Sequence, residues 1–345
     1  MKQAILYKKL TGKKVECTAC SHRCKIAEGK TGICGVRQNI KGKLYLLVYG
    51  RVVSANIDPI EKKPLYHFLP GSRSFSIGTF GCNFRCKNCQ NFDISQIMEL
   101  KGQVEKYDQI NWGIEFAPKD IVLKAKENHC QSIAYTYNEP TIWAEYALEI
   151  MKIAKAAGLK NIWVSNGFMT DATFKMIAPY LDAINIDIKS YDDKFYRENC
   201  GAHLKEVLET CQRVVRKKIH LEVTTLIIPT LSDDEKMLRR LAHFIKTKLG
   251  AEVPWHISAF SGAISWKLQH LPDTSLEKLR KIYEIGKKEG LKNVYVGNVI
   301  ADSLENTFCP KCHSVVIRRV GYNIENMLKS GRCPNCNSKI AGIWQ

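Results

Sequence analysis

Short runs of β-branched and aromatic residues alternate with amphipathic segments from residue 74 to residue 299. Strands that alternate with helices at this spacing predict a parallel sheet with helical crossovers. One of the helical segments opens with Pro140 and closes at Gly158, as helices commonly do. Six or seven such units favour an α/β fold built on a partial (β/α) barrel, with a flat doubly wound sheet as the alternative. The predicted strands are 74–80, 131–137, 161–167, 183–190, 220–228, 254–260 and 293–299.

The segments on either side of this pattern are shorter and of different character. Residues 43–50 and 51–57 predict a hairpin with Tyr49 and Gly50 at its turn. Residues 61–73 contain Pro and Gly and predict a linker. We therefore expect a cysteine-rich module at 1–70, the barrel at 71–299 and a second cysteine-rich module at 300–345.

Composition and charge limit the classes of protein to consider. Hydrophobic residues form 45% of the 345 residues, which suffices for a sizeable core. No apolar run reaches the ~18 residues of a membrane span, and the basic first residues lack the apolar stretch of a secretory signal. We expect a soluble, cytoplasmic protein. The 52 Lys and Arg against 34 Asp and Glu favour a partner such as RNA, DNA or an acidic protein. Ion-rich surfaces also occur in heat-adapted proteins.

Fourteen cysteines are many for a chain of this length. A disulfide scaffold would be short and secreted, so in a reducing cytosol we expect most of these thiols to bind metal. Cys130, Cys200 and Cys211 stand apart and are expected to be small buried hydrophobes. The other eleven form three clusters: the N-terminal cysteines (Cys17, Cys20, Cys24, Cys34), the loop cysteines (Cys82, Cys86, Cys89) and the ribbon cysteines (Cys309, Cys312, Cys333, Cys336).

The ribbon cysteines form two C-x2-C pairs separated by twenty residues. This spacing is typical of a zinc ribbon, in which four thiolates complete a tetrahedral site. An iron site of the rubredoxin type is the alternative.

The loop cysteines number three, in the pattern C-x3-C-x2-C directly after the first predicted strand. A [4Fe–4S] cluster usually takes four thiolates, so a cluster held by three keeps one iron open for a substrate or cofactor. The loop is opened by Gly78 and Gly81 and is expected at the carboxyl-terminal rim of the barrel, where active sites lie. A zinc ion held by these cysteines and a distant histidine is the alternative.

Polar side chains end nearly every predicted strand. Since the carboxyl ends of barrel strands meet at one rim, we expect these side chains to face one cavity. They include Asn138, Glu139, Ser165, Asn166, Asp187, Lys189, Thr224, Thr225, His256, Ser258 and Asn298.

The C-x3-C-x2-C loop after the first strand of a β/α repeat resembles the radical S-adenosylmethionine (SAM) superfamily. The longer stretch DPIEKKPLYHFLPG…GTFGCNFRCKNCQNFDIS resembles the AmmeMemoRadiSam-system radical SAM enzymes, relatives of pyruvate formate-lyase activating enzyme. The resemblance implies that three thiolates hold a [4Fe–4S] cluster and that SAM chelates the fourth iron. One electron from a low-potential donor, such as a ferredoxin or flavodoxin, then cleaves SAM to a 5′-deoxyadenosyl radical that abstracts hydrogen from a substrate.

The resemblance also implies roles for individual residues. It assigns Glu139 to the SAM amino group, Lys189 with Asp187 to the SAM carboxylate, and His256 to the ribose. Ser165 and Asn166 resemble ribose or carboxylate contacts.

One position departs from the superfamily pattern. An aromatic residue often precedes the third cysteine and packs near the adenine, whereas this chain has Asn88 there. Phe84 and Phe92 are candidates to replace it.

The N-terminal cysteines leave three interpretations open, with His22 as a spare ligand. A structural metal such as zinc is our first expectation, an electron-relay iron–sulfur cluster the second, and unligated thiols the third.

Taken together, these features predict a radical SAM enzyme that acts on a macromolecule, either protein or RNA. An activase that places a glycyl radical on a partner enzyme is a narrower alternative. A non-catalytic, zinc-binding, nucleic-acid-binding protein is the alternative from another class.

Overall fold

The computed structural model describes residues 1–100, 112–299 and 302–344. The expected boundary at 299/300 adjoins residues 300 and 301, which lie outside the described residues. The strands in chain order are β1 (Lys2–Gln3), β2 (Tyr7–Lys9), β3 (Val15–Cys17), β4 (Lys25–Ile26), β5 (Arg37–Ile40), β6 (Lys43–Leu46), β7 (Arg51–Val52), β8 (Ser54–Pro59), β9 (Arg73–Gly78), β10 (Ile114–Glu115), β11 (Ser132–Tyr135), β12 (Lys160–Ser165), β13 (Ala183–Asp187), β14 (His220–Ile227), β15 (Trp255–Ala259), β16 (Val294–Gly297), β17 (Thr307–Phe308), β18 (Val315–Val320) and β19 (Asn323–Asn326).

An eight-stranded sheet forms the centre of the molecule, in the order β16-β15-β14-β13-β12-β11-β9-β8. The seven strands β9 and β11 to β16 run parallel, and each overlaps one of the seven runs predicted from the sequence. β8 pairs antiparallel with β9 and forms one edge, while β16 forms the other. The predicted partial (β/α) barrel is therefore confirmed.

Helices follow the parallel strands and cover their outer face. Several begin at a side-chain N-cap: Thr170, Asp234 and Ser275 each accept a hydrogen bond from the N–H three residues later. None of the helices in the described ranges is long and apolar enough to cross a membrane. They are α1 (Phe92–Ser95), α2 (Ile97–Leu100), α3 (Pro118–Glu127), α4 (Ala144–Ala156), α5 (Asp171–Ile177), α6 (Asp193–Phe195), α7 (Leu204–Arg216), α8 (Glu235–Phe244) and α9 (Leu276–Glu289), with single turns of other helix types at Ile60–Lys62, Pro140–Trp143, Tyr196–Cys200, Ile245–Leu249, Gly262–Ile264 and Asp302–Glu305.

The hairpin predicted over residues 43–57 is wrong. β6 pairs with β5 instead, through the two-residue turn Lys41-Gly42, whose φ angles are 51° and 77°. Two positive φ angles are what a tight hairpin turn requires, and Gly42 supplies the second without strain. The second half of the predicted hairpin divides between β7, which pairs with β10, and β8, which joins the barrel.

The linker predicted at 61–73 is also wrong, because this segment is largely buried. Leu65 and Phe68 pack with Ala134, Ile162 and Ala183 on the inner face of the barrel. Ala183 is the first residue of β13, so the segment closes the amino-terminal end of the barrel. Pro and Gly mark turns in this segment, but its apolar side chains fill the barrel mouth.

The C-terminal strands β17 to β19 form an antiparallel sheet that packs against this closing segment. Arg319 is fully buried and donates to the carbonyl oxygen of Tyr66 at 2.7 Å and to Thr307 Oγ1 at 2.8 Å. His67 Nδ1 lies 2.6 Å from the carbonyl oxygen of Ala341. The C-terminal module therefore lies at the end of the barrel opposite to the loop cysteines.

Candidate functional site

The loop cysteines lie after β9, at the carboxyl-terminal rim of the barrel. Gly81 opens this loop with a φ of 89°, and a Cβ added there would lie 2.5 Å from the carbonyl oxygen of Cys34. Only glycine permits so close an approach of two backbones. Asn138 Nδ2 donates a 2.8 Å hydrogen bond to the Gly81 carbonyl, which ties the start of the loop to the end of β11.

The loop cysteines face one another in a mostly buried setting, with Cys86 buried and the other two partly exposed. Burial, and then the neighbouring Cys86 thiol, raises the pKa of Cys82 well above its usual range and that of Cys89 to about 11. Such thiols ionise readily only beside a metal cation. Among the described residues, these three sulfur atoms do not all lie within 4.8 Å of one another.

A fourth thiol, Cys200, lies beside the loop, where it raises the pKa of Cys86, and its sulfur accepts a hydrogen bond from Asn199 Nδ2 at 3.6 Å. The backbone N–H of Arg85 donates to the Cys200 carbonyl at 2.7 Å, and that of Lys87 donates to the Asn199 carbonyl at 3.0 Å. Cys200 is buried, as expected, but its contact with a loop cysteine was not predicted. More than a hundred residues separate the two thiols, so no local spacing indicates the contact.

Asp187 and Lys189 form an ion pair of 2.9 Å at the end of β13. Burial lowers the pKa of Lys189, but the Asp187 carboxylate and the nearby Cys86 thiol raise it more, so its pKa lies well above the usual range. These neighbours favour the ammonium form of Lys189 beside the cysteine loop. The buried hydroxyl of Thr224, which pairs with Asp187 across β13 and β14, has no hydrogen-bond partner within the described residues. These groups can bind a polar, anionic part of a ligand.

Glu139 joins the ends of β11 and β12. Its carboxylate accepts hydrogen bonds from the N–H of Thr141 at 3.0 Å, from Ser165 Oγ at 2.9 Å and from the N–H of Asn166 at 2.7 Å. Burial raises the pKa of Glu139, which these bonds partly offset. Asn166 Nδ2 also donates to Asn83 Oδ1 on the cysteine loop at 2.7 Å. The three predicted residues on these strands therefore hold the rim together, and their contact with SAM stays a prediction.

The aromatic side chains near Asn88 differ in exposure. Asn88 Oδ1 accepts a 2.8 Å hydrogen bond from Asn199. Phe84 is almost fully buried, whereas Phe92 is partly exposed and stacks on Trp266 with ring centroids 6.5 Å apart. Of the two candidates to pack near an adenine, Phe92 is therefore the one that remains accessible.

His256 does not join the other polar side chains at the carboxyl-terminal rim of the barrel. Its Nε2 lies 2.6 Å from Glu222, which sits earlier on the neighbouring strand than the residue paired with His256. Glu222 also accepts hydrogen bonds from His220 and from the N–H groups of Tyr66 and His67. Burial raises the pKa of Glu222, but the two histidines hold it well below its usual range. His256 thus contacts the closing segment of the barrel, and a ribose contact remains a prediction.

A cavity of about 650 Å³ opens beside the cysteine loop. Its walls come from Lys87 on that loop and from the segments that follow β13, β14 and β15. Its lining is mixed in character: Lys87, Asp192, Lys194, Phe195, Glu198, Asn199, Thr230, Leu231, Lys267, Leu268, His270 and Leu271. The cavity gives a sizeable ligand access to the rim.

The ribbon cysteines converge within 4.8 Å of one another. The sulfur atoms of Cys309 and Cys336 are 3.5 Å apart, and those of Cys312 and Cys333 are 3.6 Å apart. Four thiolates about 2.3 Å from one zinc ion require sulfur separations close to these. A hydrogen bond with Ser314 lowers the pKa of the Cys333 thiol to about 6, which favours the thiolate that binds metal.

The N-terminal cysteines are also brought together. Cys17 ends β3, and its N–H donates to the Cys24 carbonyl at 2.9 Å. The thiols of Cys17, Cys24 and Cys34 lie close enough to Cys20 to raise its pKa. Cys17 and Cys24 likewise raise the pKa of Cys34. In the described part of the chain, no three of these sulfur atoms meet the 4.8 Å spacing of the ribbon cysteines.

We expect Cys333→Ser to release about one metal ion per chain and to lower the unfolding temperature, because metal binding at a structural site contributes directly to folding free energy. Elemental analysis and calorimetry measure both effects. Cys130→Ser is the control, because this buried thiol belongs to none of the three clusters. Unchanged metal content in Cys333→Ser would contradict the ribbon assignment.

Comparison with known proteins agrees with this geometry. The sequence profile of the radical SAM superfamily matches residues 76–242. The uncharacterized protein MJ0808 of Methanocaldococcus jannaschii is 41% identical over 343 residues, which are 99% of each chain. The pyruvate formate-lyase-activating enzyme of Clostridium pasteurianum is 21% identical over 59% of this chain and 85% of its own.

A solved structure is similar in fold. The radical SAM methyltransferase from Sphaerobacter thermophilus superposes with a TM-score of 0.50 at 13% identity, over 68% of this chain and 70% of that one. The chain therefore belongs to the radical SAM superfamily, whose members are enzymes that bind a [4Fe–4S] cluster and SAM.

Proposed function

We propose that the loop cysteines hold a [4Fe–4S] cluster at which SAM is cleaved reductively, and that hydrogen is abstracted from a segment of a protein substrate. The convergence of three cysteine thiols with the Lys189 ammonium at the barrel rim carries this proposal. When bound, the reduced cluster supplies the electron that cleaves SAM to methionine and a 5′-deoxyadenosyl radical.

The residues of the chain bind and orient in this scheme. Lys189 would donate to the SAM carboxylate, because its ammonium form is favoured and Asp187 occupies only part of its donor capacity. Thr224 offers its unpartnered hydroxyl to the same ligand. Phe92 follows the third loop cysteine in the chain, and its partly exposed ring stacks on Trp266. The ribbon cysteines hold zinc far from the chemistry and stabilise the amino-terminal end of the barrel.

The cavity beside the loop supports a polypeptide substrate. Its lining combines the cations Lys87, Lys194 and Lys267 with the anions Asp192 and Glu198 and with apolar side chains such as Leu231. A groove for RNA would be lined mainly by cations, because phosphate contacts dominate such binding. A groove of mixed charge with apolar patches suits a peptide segment.

A glycyl-radical activase is the second candidate, and the similarity to an activating enzyme of pyruvate formate-lyase favours it. It is a special case of the same proposal, in which the abstracted hydrogen comes from a glycine Cα of a partner enzyme. A persistent protein radical in the partner, seen by electron paramagnetic resonance (EPR), distinguishes it from other hydrogen donors.

Cys86→Ala should abolish 5′-deoxyadenosine formation, because two remaining thiolates cannot hold the cluster with one iron open. The measurement is chromatography of products after anaerobic reconstitution, with dithionite and SAM. Cys130→Ala is the matched control and should retain turnover. Turnover in Cys86→Ala, or a colourless zinc-loaded wild type, would reject the cluster assignment and favour the non-catalytic alternative.

The class of substrate is tested by the origin of the hydrogen. Cells grown in deuterated medium give an extract that is separated into protein and RNA fractions. We expect the protein fraction to transfer deuterium into 5′-deoxyadenosine, detected by mass spectrometry, and prior protease treatment to abolish the transfer. Transfer confined to the RNA fraction would contradict a polypeptide substrate.

Cys200→Ala should leave iron and sulfide content unchanged and lower the reduction potential of the loop cluster by tens of millivolts. The reason is that the Cys200 thiol neighbours Cys86 and can donate to a cluster sulfur, which stabilises the reduced, more negative state by on the order of tens of millivolts. A redox titration followed by EPR measures the shift. Cys211→Ala is the control, because this buried thiol lies on α7. Lost iron would instead identify Cys200 as a ligand.

A further inference from the structure

We propose that the side-chain NH2 group of Asn83 donates a hydrogen bond to a sulfur atom of the cluster at the loop cysteines, and that this bond makes the cluster easier to reduce. The inference rests on the proposed function for the presence of the cluster. It gives Asn83 a role in tuning the cluster, and it makes Asn166 the residue that holds Asn83 in place.

Asn83 is held in place through both its backbone and its side chain. It directly follows Cys82, the first of the loop cysteines, and it is fully buried. Its backbone carbonyl lies 2.8 Å from His22 Nε2, which must carry the proton because a carbonyl oxygen only accepts. Its side-chain oxygen accepts a hydrogen bond from Asn166 Nδ2 at 2.7 Å. The side chain therefore has little freedom to rotate.

The neighbours of Asn83 decide which way its amide is turned. The backbone N–H of Phe168 donates to Asn166 Oδ1 at 3.0 Å, and a backbone N–H group is a donor only. Asn166 must therefore present its NH2 group to Asn83, and Asn83 presents its oxygen in return. The NH2 group of Asn83 is then the half of the amide that Asn166 does not bind.

This NH2 group is buried and has no hydrogen-bond partner within the described residues. A buried donor without an acceptor costs free energy, so a ligand that supplies the acceptor would explain it. Cys82 Sγ lies 3.8 Å from Oδ1 of the same amide, which places Asn83 Nδ2 within about 6 Å of that sulfur. A cluster bound through Cys82 extends beyond this sulfur, and its own sulfur atoms are acceptors for the buried NH2 group.

The contact between Cys82 and Asn83 changes when Cys82 binds iron. The Cys82 thiol donates to Asn83 Oδ1 across 3.8 Å, which is a long contact. A cysteine that binds metal is a thiolate and has no proton to donate. This contact is then lost as a hydrogen bond, whereas the bond from Asn166 at the end of β12 remains. The Asn83 oxygen stays turned to Asn166, so its NH2 group is what the amide offers to the cluster.

A donor in this position favours the reduced cluster over the oxidised one. Reduction by one electron from the low-potential carrier increases the negative charge on the cluster and its sulfur atoms. A hydrogen bond to a more negative acceptor is stronger, and hydrogen bonds to the sulfur atoms are among the factors that set the potential of a cluster. Asn83 is buried, so solvent and salt screen the effect only weakly. The amide keeps both of its protons, and no covalent bond changes.

Asn166→Ala tests whether Asn166 acts by holding Asn83. This variant keeps the backbone N–H that donates to Glu139 at 2.7 Å and removes the amide that orients Asn83. The measurement is a redox titration followed by EPR, without SAM, at the potential where half of the wild-type cluster is reduced. Asn166→Ala should lower the ratio of reduced to oxidised cluster by less than Asn83→Leu does, and the double variant no further than Asn83→Leu alone. Additive effects would overturn the positioning role of Asn166.

Asn83→Leu tests the hydrogen bond itself in the same titration. With its iron content unchanged, this variant should lower the ratio of reduced to oxidised cluster about threefold to tenfold, which is the scale of one net hydrogen bond. Asn91→Leu is the matched control and should leave the ratio unchanged, because this amide two residues after Cys89 already donates to the Tyr137 carbonyl at 2.7 Å. An unchanged ratio in Asn83→Leu would overturn the proposal, and weaker SAM binding in that variant would then assign the amide to SAM.

Asn83→Asp serves where Asn83→Leu fails to fold or to hold iron, because it keeps an acceptor for Asn166 and removes only the donor. Electron–nuclear double resonance of the reduced cluster should show an exchangeable proton in the wild type that Asn83→Asp lacks. Asn91→Asp adds the same charge to the same segment and should keep this proton. Its retention in Asn83→Asp would overturn the proposal. A wild type that binds no iron would instead contradict the proposed function on which the inference rests.

Discussion

The close contact of two backbones at Gly81 is the constraint on which the site depends. At this point the cysteine loop leaves the first parallel strand and passes directly against the Cys34 carbonyl, with no space for a side chain. On its other side, the loop is bonded through Arg85 and Lys87 to the end of the single helical turn at Tyr196–Cys200. A loop clamped between the N-terminal module and the barrel holds its thiols at fixed positions. Fixed ligand positions are what a cluster with one open iron requires.

The two ends of the barrel differ in how their polar groups are used. At the amino-terminal end, Glu222 receives four hydrogen-bond partners and Arg319 binds across to the closing segment. At the carboxyl-terminal end, Thr224 and Asn199 keep buried polar atoms without partners in the described residues. The amino-terminal end also holds buried polar atoms without a partner in the described residues, among them Arg319 Nε and Glu61 Oε2. What distinguishes the carboxyl-terminal end is that its unpartnered Thr224 hydroxyl lies beside the Asp187–Lys189 ion pair and the cysteine loop.

The sequence predicted the strands well, because a strand is a local pattern. Seven β-branched runs correspond to seven parallel strands, and the spacing of the ribbon cysteines predicted the four thiols that the structure brings within 4.8 Å of one another. Contacts between segments that are far apart in the chain could not be predicted from the sequence. The sequence predicts Cys200 to be an isolated buried thiol, because no residue near it in the chain indicates its contact with Cys86. Residues 61–73 read as a linker because their apolar side chains find partners only across the barrel. The hairpin was misplaced because the local run of 43–50 does not reveal that β5 competes as its partner.

The same limit applies to His256, which lies on β15 as predicted, and to Glu139, which was predicted to end the second strand but follows β11 as the cap of the turn at Pro140–Trp143. Which way a strand-end side chain turns depends on the charges and donors it meets, and Glu222 lies two residues earlier on the neighbouring strand.

The distribution of charge changes the meaning of the basic composition. Half of the net charge of +18 lies in residues 1–43, and the other 302 residues share the remainder. The cavity beside the cysteine loop is lined by both signs of charge. An overall excess of cations therefore gives no reason to place a nucleic acid at the active site, because long-range steering acts where the charges are concentrated. The basic N-terminal residues and the residues that line the cavity are different sets. The N-terminal module contacts the cysteine loop and the barrel at several points, which include the Cys34 carbonyl beside Gly81, His22 with the Asn83 carbonyl and Thr170 with the Thr18 carbonyl.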